Sequence, residues 1–549
     1  MITKGLLIFV LLISILPAQL FAQGQATAEK AERAYQQKDY STSAQLYIQA
    51  IAEGERSAST YYNAACSLAL AGKKDEAFLH LQEAVKGGWV NTNHLKQDTD
   101  LNSLHSDSRW QPLVENCAAQ EKRQKAFWEG AALKTPFREN LSEDEKIAGL
   151  SRFWSEVKFN FANFDLVQGL DWDKLYLDYL PRVRQTQSTF EYYRVLMEMC
   201  AKLKDGHTNV YAPAELADET YARPAIATRL IEGKIIVRRV MDEKLAQDGI
   251  VQGLEITEIN GQPAKQYADE RVAPFQSAST KQDLEVRAFD YFLFSGSIRE
   301  PLVLTFADAD GKQLKRTLTR LSLKDRAKLI PNAPLTEFKV LPGNIGLLSL
   351  NGFDNDQSVK LFEAAYPEIE KTDALIIDIR NNGGGNSGFG YRILSYLTDQ
   401  PFQTSKWQTR SYRPAYRAWG TPDDWYRSEA GKSNPIGSKL YSKPVVVLTS
   451  PRTYSAAEDF AVAFEVMKRG KIIGEATGGS TGQPLFFSLP GGGNARVCTK
   501  RDAFPDGREF VGVGVQPDIS VLPTLADFRA GRDAVLEAAV LEIKKQLKK

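Results

Sequence analysis

Three short apolar runs, separated by stretches of helical period, constrain the fold of this chain more than any other feature. They are NIGLLSL (344–350), DALIIDIR (373–380) and KPVVVLTS (443–450), each bounded by polar residues or glycine. An apolar run of four to eight residues without alternation is the mark of a strand covered on both faces. SVKLFEAAYPEIEK (358–371) follows the first run, and AAEDFAVAFEVMKRG (456–470) follows the third, both with helical spacing. Strands that alternate with helices predict an α/β core over 335–549 with a mixed, partly parallel sheet.

The period changes twice upstream. Over 220–325, RLIEGKIIVRRV alternates as a strand, and GLEITEINGQPA (253–264) runs strand, Asn-Gly turn, helix start; this strand–turn unit resembles a PDZ-like, β-rich module. Such modules take up an extended peptide as an added strand. Over 121–215 the chain is helical and rich in aromatics, and Ser142 with Glu145 forms an S-x-x-E capping box before an apolar stretch. Phe153, Trp154, Phe159, Phe161, Phe164 and Trp172 of that region read as core. Over 25–120 two helical stretches can be superposed with an offset of 34 residues, which aligns Ala31 with Ala65, Tyr47 with Leu81, Ala50 with Ala84 and Ile51 with Val85. That period resembles tetratricopeptide repeats, which implies either a docking surface for a protein partner or a plain helical spacer. The fold class expected is therefore multi-domain: an α-helical repeat domain, a helical domain, a PDZ-like β-rich domain and an α/β core.

Residues 1–22 carry one Lys, an apolar run from Gly5 to Leu16, then Pro17 and small residues up to Ala22. This is the pattern of a cleaved secretory signal, and predicts an exported, periplasmic or secreted protein without a membrane span once the signal is removed. Cys66, Cys117, Cys200 and Cys498 show no CxxC spacing, so neither a zinc site nor a dense disulfide framework is expected. Four buried thiols is the plain reading; Cys66 with Cys117 is the one pair that could bridge. Lys and Arg number 69 against 68 Asp and Glu, a balance that argues against nucleic acid as a partner. The aromatic and basic stretch 402–430, with Trp407, Tyr412, Tyr416, Trp419, Trp425 and Tyr426, reads either as a lid or substrate loop or as a packed insertion.

Three segments carry candidate chemistry. In VVVLTSPRTYSAAEDF a buried strand turns into a helix at Ser455. Unpaired backbone N–H groups and the helix dipole would there favour an oxyanion beside the hydroxyl; Ser is equally a favoured N-cap. In ALIIDIRNNGGGNSG, Gly383, Gly384 and Gly385 follow a strand, which suits a turn with exposed N–H groups but lacks the Lys-Ser/Thr of a P-loop. In LKDGHTNVY stands His207; the other three histidines, His80, His94 and His105, lie in the repeat region. A serine nucleophile needs a base near neutral pKa, and His207 is the one imidazole open to a site in the α/β region.

Together the DGHT box (205–208), the D-x-R-x-N-x-G-G box (378–385) and the Ser-Ala-Ala-Glu box (455–458), with GEATGGSTGQ (474–483) and GVGVQPDI (512–519), resemble the serine peptidases of the C-terminal processing protease and tricorn core family. The resemblance covers roughly 141–521. It implies a peptidase without metal or organic cofactor, acting on protein or peptide substrates through an acyl-enzyme. Ser455 stands at the nucleophile position, and Ala456 with Gly384 or Gly383 at the oxyanion-hole positions. Processing proteases place a Lys base where this chain has Ser480; the tricorn branch places a His where this chain has His207, so a Ser–His pair is implied. Glu458 or Glu509 would orient the base. The tricorn branch also has a Ser before that His, where this chain has Gly206. The other reading is a catalytically silent ligand- or peptide-binding or scaffold protein on the same fold.

Overall fold

Five strands in the C-terminal half of the chain lie parallel because helices carry most of the crossovers, and an antiparallel sixth closes one edge. In the computed structural model, which describes residues 23–330, 334–421, 424–437 and 440–548, their order across the sheet is Ile519–Ser520, Gly470–Gly474, Val445–Thr449, Ala374–Asp378, Ile345–Leu350, Thr336–Leu341. All neighbours pair parallel except the last two, which form a hairpin. The three apolar runs are thus three adjacent central strands. Successive residues point to opposite faces: Leu348, Leu375, Ile377, Val445 and Val447 pack under the helices Gln357–Ile369, Ser387–Leu394 and Ala456–Met467. Leu347, Ile376, Val446 and Leu448 face Val535, Ala539 and Ile543 of the helix Ala534–Leu547. Each such fully buried side chain contributes about 1.5–3 kcal/mol, and coverage of both faces is why these strands read as continuous apolar runs.

The chain separates into two compact units, residues up to Ala131 and residues from Ala132 onward. The first is helical: residues 23–36 are followed by Tyr40–Ala52, Ala58–Leu70, Lys74–Lys86, Thr92–Gln97 and Trp110–Glu129. Ala31, Ala50, Ala65, Leu81 and Ala84 are fully buried and Tyr47 nearly so; small residues where helices cross let the backbones approach. Cys66 and Cys117 are separate buried thiols, as are Cys200 and Cys498. The expected signal, 1–22, lies outside the described residues.

In the second unit, the helix Glu143–Asn160 opens on the expected capping box: Ser142 Oγ accepts from Glu145 N–H, and Glu145 accepts from Ser142 N–H. This helix packs with Trp172–Gln185 and Thr189–Ala201 around Phe153, Phe161 and Trp172. An antiparallel sheet follows in the order Ile226–Ile231, Lys234–Val240, Glu255–Ile259, Leu302–Ala307, Gln313–Leu318. Asn260 and Gly261, both with positive φ, turn the chain back so that Ile259 pairs with Gln262, the hairpin geometry that Asn-Gly favours. Residues 402–430 are largely built into structure: the strand Lys406–Ser411 pairs with Asp424–Arg427 on one side and with Lys500–Ala503 on the other.

One pairing brings distant sequence together. The strand Asn209–Tyr211, directly after Thr208, pairs antiparallel with Asn494–Cys498, which in turn pairs with Pro484–Ser488. Thr208 Oγ1 accepts from Cys498 N–H at 3.0 Å, so the DGHT turn is sewn to the C-terminal part of the core.

Candidate active site

The central strand Val445–Thr449 delivers the chain to a turn and then to the helix Ala456–Met467, with Ser455 as its N-cap residue. Ser455 has φ 56° and ψ −125°. A non-glycine residue in that region costs on the order of 1–3 kcal/mol and persists only where its surroundings hold it. Here Ser455 N–H donates to Ser480 O and to Glu458 Oε2, both at 3.1 Å. The hydroxyl is left facing His207: His207 Nε2 lies 3.1 Å from Ser455 Oγ, across 248 residues of sequence.

His207 is 5% exposed. Its ring stacks on Tyr454, with centroids 5.3 Å apart and planes within 12°. Asp205, itself buried, fixes the turn by accepting from His207 N–H at 3.0 Å, Thr208 Oγ1 at 2.9 Å and Asn163 Nδ2 at 2.8 Å. The other ring nitrogen, Nδ1, meets Ser480 Oγ at 2.8 Å. With Nε2 as acceptor for the Ser455 proton, Nδ1–H donates to Ser480. Burial, then the nearby Arg496, Arg287 and Lys500, lowers the imidazole from 6.5 to about 3, so the resting ring is neutral.

The two expected acidic residues do not bond this imidazole. Glu458 is fully buried and points under the Ser480 loop. It accepts from Thr477 Oγ1 at 2.5 Å, Gly479 N–H at 2.8 Å and Ser480 N–H at 2.9 Å, besides Ser455 N–H. Burial pushes its carboxyl up to about 8 against these four donors. Glu509 is half exposed, 3.7 Å from Arg501 Nε, and its backbone pairs with Ala503 in a bridge. The partner of His207 Nδ1 is therefore a hydroxyl, that of Ser480, the residue at the position where the resemblance to the processing proteases implies a Lys. Gly206, where the tricorn branch has Ser, cannot carry a side chain here: a Cβ would collide with the Tyr454 hydroxyl.

Gly384 has φ 101°, and a Cβ on it would come within 2.7 Å of Ser455 Cβ and 3.0 Å of Ala456 N; only glycine allows this approach. Its own N–H, however, donates to Asn382 Oδ1 at 2.9 Å. Of the three expected oxyanion donors, Ala456 N–H, the first of its helix, and Gly383 N–H have no backbone or side-chain acceptor among the described residues, whereas that of Gly384 is occupied.

Two cavities flank the serine. One, of about 920 Å³, runs past Gly383, Tyr454, Arg452, Arg287, Arg496 and Tyr211. The other, of about 400 Å³, borders Ser455, Ala456, Asp459, Thr481, Lys500 and Asp502. Asp459, Asp502 and Tyr454 read in the sequence as ordinary helix, strand and turn residues, and Asp205 as part of the DGHT box without a role of its own. Ser480 was conspicuous only as the residue occupying a lysine's place.

Known proteins match the same stretches. Residues 344–521 match the family described as Peptidase family S41, residues 150–201 the Tricorn protease C1 domain, and residues 27–125 the A/B hydrolase-like N-terminal domain. A putative tricorn protease homolog of Streptomyces coelicolor is 25% identical over 398 residues, 68% of this chain and 30% of that protein. The chloroplastic C-terminal processing peptidase of Tetradesmus obliquus is 31% identical over 186 residues, 33% of this chain and 36% of that protein. The matched stretches thus span about a third of these relatives' own length. The crystal structure of mature CPAF superposes with a TM-score of 0.55 at 16% identity, over 70% of this chain and 94% of that one, a likeness of fold. The chain thus carries a peptidase family S41 domain at residues 344–521 and a tricorn protease C1 domain at residues 150–201.

Proposed function

We propose that this chain is an exported serine peptidase in which Ser455 is the nucleophile and His207 the general base. The observation that carries the reading is the 3.1 Å approach of His207 Nε2 to Ser455 Oγ at a strained strand-to-helix turn. Ser455 Oγ attacks the scissile carbonyl while His207 Nε2 takes its proton, and Nδ1–H stays on Ser480. The oxyanion lies at Ala456 N–H with Gly383 N–H beside it; Gly384 joins only if Asn382 releases its N–H. His207 then protonates the leaving amine, and water hydrolyses the acyl-enzyme by the same route.

The 220–325 module is read as PDZ-like, presenting an extended peptide to the larger cavity, and the 25–120 helices as tetratricopeptide-like, offering a surface to a protein partner. Export rests on the residues 1–22 alone. Among the described residues no helix is long and apolar enough to cross a membrane.

The test is labelling of the full chain by a peptidyl phosphonate, with mass mapping of the adduct. The reading expects one adduct, on Ser455, absent in Ser455→Ala and abolished or strongly slowed in His207→Ala. A folded chain that takes no adduct would transfer the assignment to the silent binding protein on the same fold.

A further inference from the structure

The smaller cavity beside Ser455 is polar and acidic where a peptide side chain would enter. It is bordered by Ser455 and Ala456 but not by His207. In the proposed reaction His207 hands its proton to the leaving amine, so the leaving side of the substrate lies toward that ring. The carbonyl under attack sits about 3–3.5 Å from Oγ with its oxygen toward Ala456 N–H. Its Cα is one bond further, on the side away from His207, at the mouth of this cavity. The side chain of the residue whose carbonyl is attacked therefore enters here.

The charged groups in the cavity are Asp459, Asp502 and Lys500. Asp459, 6% exposed, accepts from Ser387 Oγ at 2.6 Å and from Ser405 Oγ at 2.8 Å. Asp502, 2% exposed, holds Lys500 Nζ at 2.9 Å through Oδ1, and its Oδ2 has no partner. Thr481 Oγ1 on the same wall is also buried without a partner. Buried polar atoms are nearly always paired, so two unpaired ones on residues that line one cavity ask for a partner. Two carboxylates against one ammonium leave a net negative site. An apolar side chain would leave both atoms without a hydrogen bond, and an acidic one would add a like charge to a buried pair. A Lys or Arg side chain balances the charge and brings donors to the wall formed by Asp502, Asp459 and Thr481.

The geometry points to Asp502, with Asp459 and Thr481, as the specificity determinant of this peptidase, selecting a lysine or arginine at the residue whose carbonyl Ser455 attacks. This rests on the peptidase reading given above.

The experiment compares labelling rates of the full chain by peptidyl phosphonates that differ only at that residue: lysine, Nε-acetyl-lysine, leucine and glutamate. The expected order puts lysine about 10- to 100-fold above the acetylated isostere, the range for a hydrogen bond to a charged group, with glutamate slowest. Asp502→Asn should collapse the lysine-to-acetyl-lysine ratio toward one. The wild-type ratio needs no variant, so a misfolded Asp502→Asn does not blunt the test. Equal rates for lysine and its isostere, or a preference for leucine, would overturn the specificity assignment while leaving the peptidase intact. Absence of any adduct on Ser455 would overturn the peptidase reading, and this assignment with it.

Discussion

At the scale of single residues, the imidazole proposed as the base is held by a hydroxyl and not a carboxylate, and this has measurable consequences. Ser480 Oγ fixes His207 through Nδ1 at 2.8 Å, so Ser480→Ala frees the ring to rotate and removes the tautomer's anchor. We expect kcat/KM to fall about 10- to 100-fold, mostly in kcat, with little change in thermal stability; an unchanged kcat would mean that stacking on Tyr454 suffices to orient the ring. The pH profile follows from burial and the cations around His207, which lower it from 6.5 to about 3. The acid limb of kcat/KM should therefore lack an inflection near 6.5 and fall only at markedly lower pH. The stability that comes from keeping this ring neutral is complete above pH 6.5 and is lost as pH falls toward about 3, because only the unfolded chain takes up the proton in that window. A kcat/KM limb centred near 6.5 would contradict the burial of the imidazole.

At the scale of elements, the His207 turn is braced from the β-rich module. The helix Lys281–Glu285 supplies Asp283, which accepts from Tyr454 Oη at 3.1 Å, from Ser279 N–H at 3.0 Å and from Arg287 Nε at 2.8 Å. Ser279 Oγ accepts from Gly206 N–H at 2.9 Å, and Arg287 reaches the Gly206 carbonyl and Tyr454 Oη at 3.4 and 3.0 Å. Asp283→Ala leaves Arg287 buried without its carboxylate and unpins Tyr454 from the face of His207. Displacement of a reacting group by about 1 Å can cost about 100-fold in rate, so a loss of that order in kcat is expected, with partial recovery in Asp283→Asn; phosphonate labelling rates would report it. None of this bracing was legible in sequence, whereas the central strands were, because burial on both faces imprints itself as an apolar run in one contiguous segment. The nucleophile segment was legible for a related reason: strand, turn and helix follow one another within a single short stretch, 445–470. The partner of His207 is 273 residues away, and no local pattern tells which way a loop turns its side chains. Glu509 shows the converse, since its position just before GVGVQPDI suggests proximity to the base, yet its pairing with Ala503 faces it toward Arg501 and solvent.

At the scale of the whole molecule, the chain divides at Ala131 into two units that each bury their own apolar side chains. The first closes around Leu68, Leu81, Leu101, Leu104 and Val114, all from residues before 131. The second holds every residue assigned to the chemistry: Ser455 and the Ser480 loop in the α/β core, His207 on the turn sewn to the strand Asn494–Cys498, and Asp283 in the β-rich module. Residues that the 34-residue offset aligns, Ala31 with Ala65, Tyr47 with Leu81 and Ala50 with Ala84, are buried in the first unit, but such an offset carries no information on what that unit does. A division of cores implies a division of folding: a segment that buries its apolar surface internally does not need the other to be stable. Residues 132–549 expressed alone should therefore fold and label at Ser455 at the full-chain rate. The fragment 23–131 should show helical circular dichroism on its own. Loss of labelling in a folded 132–549 fragment would mean that the helical unit acts on the turn that carries His207.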